Sequence, residues 1–371
     1  MLGIMRVVLL IFTLLCCLAA AQQPNPDQIL KAAIDAQQRG DFQTAINSYH
    51  KVLELRPNMV EAKVNLGAAL AHEGQYDEAI SMYRSALPAV TQKTPVLLNI
   101  ALAYYKKGDF ENARQQLEPL QKEQPGSARI AVLLGDTYNR LKKPANAVAL
   151  LEPLEKANPQ NMDLAFVLGT ALIANGQRRD GVTRIEKVAA SGKSAETYVL
   201  AGTTQLQLNE FEQARHDFDA AIQLNPTLPG VHTLAGTASD KTGDVKQAEA
   251  SFREALKQNA DDFDANLYLG AILYKRREME AAKPYLEHAL QLNPSSTMAR
   301  YEMAMLKSTA GDYEAAVKDL ENVVKDDPNW LEPHVQLASL YYRLHRPEDG
   351  ARERGIVDKI TAEQQAKGPK Q

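Results

Sequence analysis

Residues 128–161, ARIAVLLGDTYNRLKKPANAVALLEPLEKANPQN, carry two apolar stripes at helical spacing. Ala131, Leu134, Gly135 and Tyr138 stand at i, i+3, i+4 and i+7, one face of a first helix. Ala147, Leu151 and Leu154 form the matching stripe of a second helix. The small residues Gly135 and Ala147 admit two helix backbones to close range, and Leu151 fills the space between them. One such pair cannot bury its apolar faces alone, so it needs neighbours of its own kind.

The neighbours are present. Val64-Asn65-Leu66-Gly67, Phe166-Val167-Leu168-Gly169 and Leu267-Tyr268-Leu269-Gly270 repeat the Val132–Gly135 pattern. Twelve residues beyond each glycine lies a small residue (Ala79, Ala147, Gly181, Ala282), and four further on a bulky one (Tyr83, Leu151, Ile185, Leu286). Gly202 with Ala214, and Gly236 with Ala248, continue the series. Pro57, Pro125, Pro159, Pro226, Pro294 and Pro328 are separated by 68, 34, 67, 68 and 34 residues, a ruler of period 34 with one single-residue slip. Gly40-Asp41, Gly74-Gln75, Gly108-Asp109, Gly243-Asp244 and Gly311-Asp312 read as a helix C-cap followed by an N-cap. Leu117-Glu118-Pro119-Leu120 and Leu151-Glu152-Pro153-Leu154 place a proline inside a second helix, where a bend is expected.

At these positions the chain resembles the tetratricopeptide repeat, W-x2-L-G-x2-Y, then A-x3-F, then P. The large aromatic at the fourth position is nearly absent; Tyr198 comes nearest, while Lys63 and Asn266 are polar. The resemblance implies an all-α, right-handed superhelical solenoid of about ten helix-turn-helix units over 26–364. The units begin at 26, 60, 94, 128, 162, 195, 229, 263, 297 and 331. Residues 22–25 and 365–371 are expected as loose ends. Ala351–Ile360, with few apolar residues, reads as a polar capping helix.

The resemblance also implies a concave groove lined by first helices, with unit positions 2, 5, 9, 12 and 13 pointing into it. The groove candidates are Tyr105 in unit three, Asp136, Asn139 and Arg140 in unit four, Phe166 and Thr170 in unit five, Thr203 and Thr237 in units six and seven, and Tyr274, Tyr301, Tyr342 and Arg343 in units eight to ten. Asn65 and Asn99, at the neighbouring position 6, have the donor and acceptor needed to grip an extended peptide backbone. The clamp by which some relatives hold a chaperone's terminal carboxylate is absent, because no unit has Lys at position 5.

Met1–Ala21 has one cation, Arg6, an apolar stretch from Val7 to Leu15, and a small-residue end, Ala19-Ala20-Ala21. This is the pattern of a cleaved secretory signal peptide. Its 15 residues from Val7 to Ala21 fall short of the roughly 20 a spanning helix needs. An uncleaved anchor is the rival, and Leu15 before Cys16 is a poor lipidation site. Cleavage would remove both cysteines, so no disulfide or thiolate ligand is expected in the remainder. It would also take 42 basic residues to 41 against 46 acidic, a net of −5, which with export argues against nucleic acid.

Enzyme chemistry has no constellation to rest on. Lys187 occupies the first-glycine position of a phosphate loop ending at Gly192-Lys193-Ser194. The seven histidines never form an H-x3-H pair, and a G-x-S-x-G elbow is missing. A non-enzymatic scaffold without cofactor or metal is therefore expected, binding a protein or peptide in its groove during envelope assembly or secretion. The alternative is a cell-wall glycan held by the groove tyrosines.

Overall fold

The computed structural model describes residues 25–192 and 194–366. The proposed signal segment, residues 22–24 and the tail 367–371 lie outside them. Among the described residues there are twenty α-helices and no strand. Two compact units are formed, Met1–Arg184 and Ile185–Gln371.

The first unit contains α1 (Pro26–Gln38), α2 (Phe42–Leu55), α3 (Val60–His72), α4 (Tyr76–Ala86), α5 (Lys93–Lys107), α6 (Phe110–Glu123), α7 (Ala128–Arg140), α8 (Pro144–Ala157) and α9 (Met162–Ala174). The division falls within α10 (Arg178–Gly192). The second unit contains α11 (Ala195–Gln207), α12 (Phe211–Leu224), α13 (Val231–Thr242), α14 (Val245–Gln258), α15 (Phe263–Lys275), α16 (Met279–Leu292), α17 (Thr297–Thr309), α18 (Tyr313–Asp326), α19 (Leu331–Arg343) and α20 (Pro347–Ala366). Odd-numbered helices are the first of each pair. In the first unit each of α3, α5, α7 and α9 packs against the first helix before it, which puts these helices on an inner face.

The contact that spaces each pair follows from residue size. The bulky residues of the second helices, Tyr49, Tyr83, Leu117, Leu151, Ile185, Phe218, Phe252, Leu286 and Leu320, are all buried. Tyr83, Leu151, Phe218, Phe252 and Leu286 each face a glycine of the first helix. A Cβ at Gly67 would lie 2.7 Å from the Tyr83 ring, one at Gly135 2.6 Å from Leu151, one at Gly202 2.8 Å from Phe218 and one at Gly236 2.7 Å from Phe252. Gly270 faces Leu286 at 2.7 Å. Ala79, Ala147, Ala214 and Ala248 are likewise buried at the helix crossings. In the fifth pair the contact includes backbone: a Cβ at Gly181 would lie 2.6 Å from Ile173 Cγ1, 2.7 Å from the Gly169 carbonyl oxygen and 2.9 Å from the Ile173 amide nitrogen.

The turns inside the pairs use capping chemistry. Gly108 and Gly243 adopt φ of +84° and +83°, and the following Asp109 and Asp244 accept from the amides of Asn112 and Gln247 at 3.2 and 3.1 Å. Asp41 and Asp312 cap α2 and α18 in the same way, whereas Gln75 makes no side-chain cap bond. Lys142, Asn209, Arg277 and His345 hold the left-handed turn position without glycine.

Both chain ends differ from expectation. Asn25 is ordered as the N-cap of α1, accepting from the Asp27 amide at 3.0 Å, and Asp27 pairs with Arg56 at 2.6 Å. α20 is longer than 351–360 and takes in Gln365 and Ala366, so the loose tail does not begin at 365. Its Glu353 is buried against His334 Nδ1 at 2.7 Å, an ion pair on the face that docks to α19. Helices α6 and α8 run unbroken across Pro119 and Pro153, and α16 carries a third interior proline, Pro284.

The glycine contacts give a stability ranking. Gly135→Ala pushes against the end of a movable Leu151 side chain, whereas Gly181→Ala pushes against the backbone of α9. Thermal denaturation should show Gly181→Ala as the costlier change, with a loss in the range of about 1–3 kcal/mol.

Candidate functional site

With one stripe of each first helix used for packing, a second stripe is left on the inner face. In the first unit it lines a cavity of about 410 Å³ walled by three successive first helices. Helix α5 contributes Leu98, Leu102, Tyr105 and Lys106; α7 contributes Arg129, Val132, Asp136 and Arg140; α9 contributes Asp163 and Phe166. A second cavity of about 460 Å³ adjoins it between α3 and α5, lined by Ala68, His72, Tyr76 and Asn99. Leu102 and Lys106 border both. Leu102 and Phe166 are each 38% exposed, two large apolar side chains that open onto the same cavity.

The polar wall is partly fixed from within. The Tyr105 hydroxyl donates to Asp136 Oδ2, and Arg140 Nε lies 3.8 Å from the same oxygen. Burial first, and the Asp136 carboxylate second, push the Tyr105 phenol above its ordinary value. Lys106 and Arg129 make no ion pair among the described residues. Arg129 sits in the first turn of α7, where the positive end of the helix dipole disfavours a cation.

Other candidates are engaged elsewhere. Asn139 Nδ2 donates to the Val167 carbonyl at 3.1 Å and to Thr170 Oγ1 at 3.2 Å, tying α7 to α9. Thr170 in turn donates to the Val167 carbonyl at 2.9 Å. The buried Tyr49 hydroxyl donates to Gln37 Oε1 at 2.7 Å, with Asn65 close by. That phenol is pushed up to about 12 by burial, then by the charge of Glu61. Asn99 remains on the second cavity wall.

In the second unit, Thr203 is half-buried and Thr237 bonds back to the Thr233 carbonyl at 2.9 Å. The Tyr274 hydroxyl lies 3.2 Å from Thr309 Oγ1. Tyr301 packs on Trp330 with ring centroids 4.8 Å apart, and burial raises its phenol to about 12. Tyr342 is exposed, with its ring over Gly350. Arg343 lies across the Tyr313 ring at 5.6 Å and donates to its hydroxyl at 3.2 Å.

Leu98, Leu102, Lys106, Arg129 and Val132 were not singled out from sequence. They occupy the same unit positions, 2, 5, 9 and 13, as residues that were, so the signal was the register itself. No group of three or more His, Cys, Asp or Glu side chains that could hold a metal assembles among the described residues. No helix among them is long and apolar enough to cross a membrane.

Tetratricopeptide-repeat family models match residues 30–93, 70–136, 195–228, 233–297 and 298–329. The chain belongs to the tetratricopeptide-repeat proteins, a family of protein-interaction scaffolds. Among solved structures it is similar to a tetratricopeptide-repeat protein from Parabacteroides merdae, with 16% identity over 71% of this chain and 98% of that one and a TM-score of 0.51. The C-terminal part of a repeat protein from Cytophaga hutchinsonii matches with 18% identity over 65% and 99% of the two chains and a TM-score of 0.52. YrrB, described as having an unusual peptide-binding site, matches at 24% identity over 47% and 91%, with a TM-score of 0.41. None of the curated proteins matches the chain.

One buried acid sets a pH dependence apart from the groove. Asp217 and Gln205 are 5% and 1% exposed, and Asp217 Oδ2 and Gln205 Oε1 have no hydrogen-bond partner among the described residues. Gln205 Nε2 donates to Glu186 Oε1 at 2.7 Å. Burial raises the Asp217 carboxyl above its usual range, and only His216 and Gln205 oppose it. A folded-state value above the unfolded one makes the folded chain bind more protons, so stability falls as pH rises through the raised value. Denaturant titrations from pH 4 to 8 should show this fall reduced in Asp217→Asn, which should also be the more stable protein at pH 8.

Proposed function

We propose that this protein is a non-catalytic, exported scaffold that holds a protein or peptide segment along the inner face of α3, α5, α7 and α9. The observation that carries the reading is the pair of adjoining cavities bordered by Leu102 and Lys106, with Leu102 and Phe166 exposed to solvent in a wall otherwise fixed by hydrogen bonds. Exposed large side chains beside ordered polar groups are the usual anatomy of a recognition surface. Positions and polar partners are in place before an occupant arrives, which lowers the ordering cost of binding.

Export is proposed from Met1–Ala21, whose single cation, apolar core and alanine end match a signal peptide. A role in envelope assembly or secretion would follow from that location. The glycan alternative draws less support, because Tyr274 and Tyr301 are committed to Thr309 and Trp330.

A photo-crosslinking residue placed at position 102 of the full chain should form adducts with a partner in cells. The same residue at exposed position 224, on α12, should not. Adding Phe166→Glu should reduce the adducts at 102 by at least about tenfold, given that a buried interface charge costs more than 1.4 kcal/mol. Equal adducts at both positions, insensitive to Phe166→Glu, would show that the inner face is not the binding surface. Mass spectrometry of the mature N-terminus should find Gln22 first, and an intact Met1 would refute cleavage.

A further inference from the structure

The chemistry of the occupant is written in the charges of the wall. Three cations border the main cavity, Lys106, Arg129 and Arg140, against two carboxylates, Asp136 and Asp163. Asp136 is already satisfied by Tyr105 and Arg140. Asp163 lies in the first turn of α9, where the helix dipole compensates a negative charge. Lys106 and Arg129 have no carboxylate among the described residues, and Arg129 stands at the wrong end of its helix dipole. The two cations flank an apolar floor made by Leu98, Leu102, Val132 and Phe166.

We propose, resting on the groove reading above, that the first unit selects an extended peptide segment whose large apolar residue is flanked by acidic ones. The apolar side chain seats against Leu102 and Phe166, and its acidic neighbours meet Lys106 and Arg129. Basic segments are rejected, because their charge faces two uncompensated cations and a carboxylate that Tyr105 and Arg140 already occupy. Neighbouring helices pack about 8–10 Å apart, so the axes of α5, α7 and α9 span about five to six extended residues, within the reach of a nine-residue segment.

Isothermal titration of the full chain with three nine-residue synthetic peptides tests this selectivity. One carries a central Phe flanked by Glu, the second Lys in place of each Glu, and the third Ala in place of the Phe. The Glu–Phe peptide should bind at least about tenfold more tightly than either of the others, and its affinity should fall with added salt. The double reversal Lys106→Glu with Arg129→Glu, on two exposed side chains, should exchange the preference in favour of the Lys peptide. Circular dichroism of this variant should match the parent. Failure of the Glu–Phe peptide to bind, equal binding of the Glu and Lys peptides, or a preference unmoved by the reversal each overturns the charge selectivity. If crosslinking at 102 persists in any of those cases, only the selectivity falls. If that crosslinking is absent as well, the groove reading falls with it.

Discussion

Helix-pair spacing in this protein depends on one recurring contact: a large side chain on the second helix pressed onto a residue with little or no side chain on the first. Tyr83 over Gly67, Leu151 over Gly135 and Phe252 over Gly236 are three instances. The contact is short-ranged and steric, so it sets the separation and crossing of two backbones without directional bonds. Because it recurs at constant register, each pair presents its neighbour with the same surface. Stability in such arrays is built from nearest-neighbour interfaces, and the chain needs no covalent staple.

That contact also decides what is left over. A helix of 13 residues has room for a packing stripe and one further stripe. Where first helices touch one another, the second stripe becomes a shared inner wall. In the first unit this wall combines exposed Leu102 and Phe166 with a Tyr105–Asp136–Arg140 network that holds its own shape. The open wall is a by-product of packing, with Leu102 and Phe166 left at its surface.

The sequence made the helices legible because their causes are local. Aspartates after glycines cap α2, α6, α14 and α18, and the 34-residue spacing of small and bulky residues marks the pairs. Where causes are not local, the reading was incomplete. Lys142 and Arg277 take a left-handed backbone that their side chains do not favour, at the turn position where Asn209 and His345 stand in other units. The burial of Glu353 depends on His334, nineteen residues away, which no local pattern reveals.

By itself, the sequence determined the repeat and the helical class, both consequences of periodicity and side-chain volume, while the set of inward-facing positions came with the resemblance to the repeat family. Only the tertiary structure decided which members of that set are engaged by neighbouring helices. Asn139 and Arg343 were drawn into bonds with neighbouring helices, while Leu102, Lys106 and Arg129 were left open. The physical reason is that a polar side chain at an inner position takes whatever partner the next repeat brings within about 3 Å, and that partner lies roughly thirty residues away in the chain.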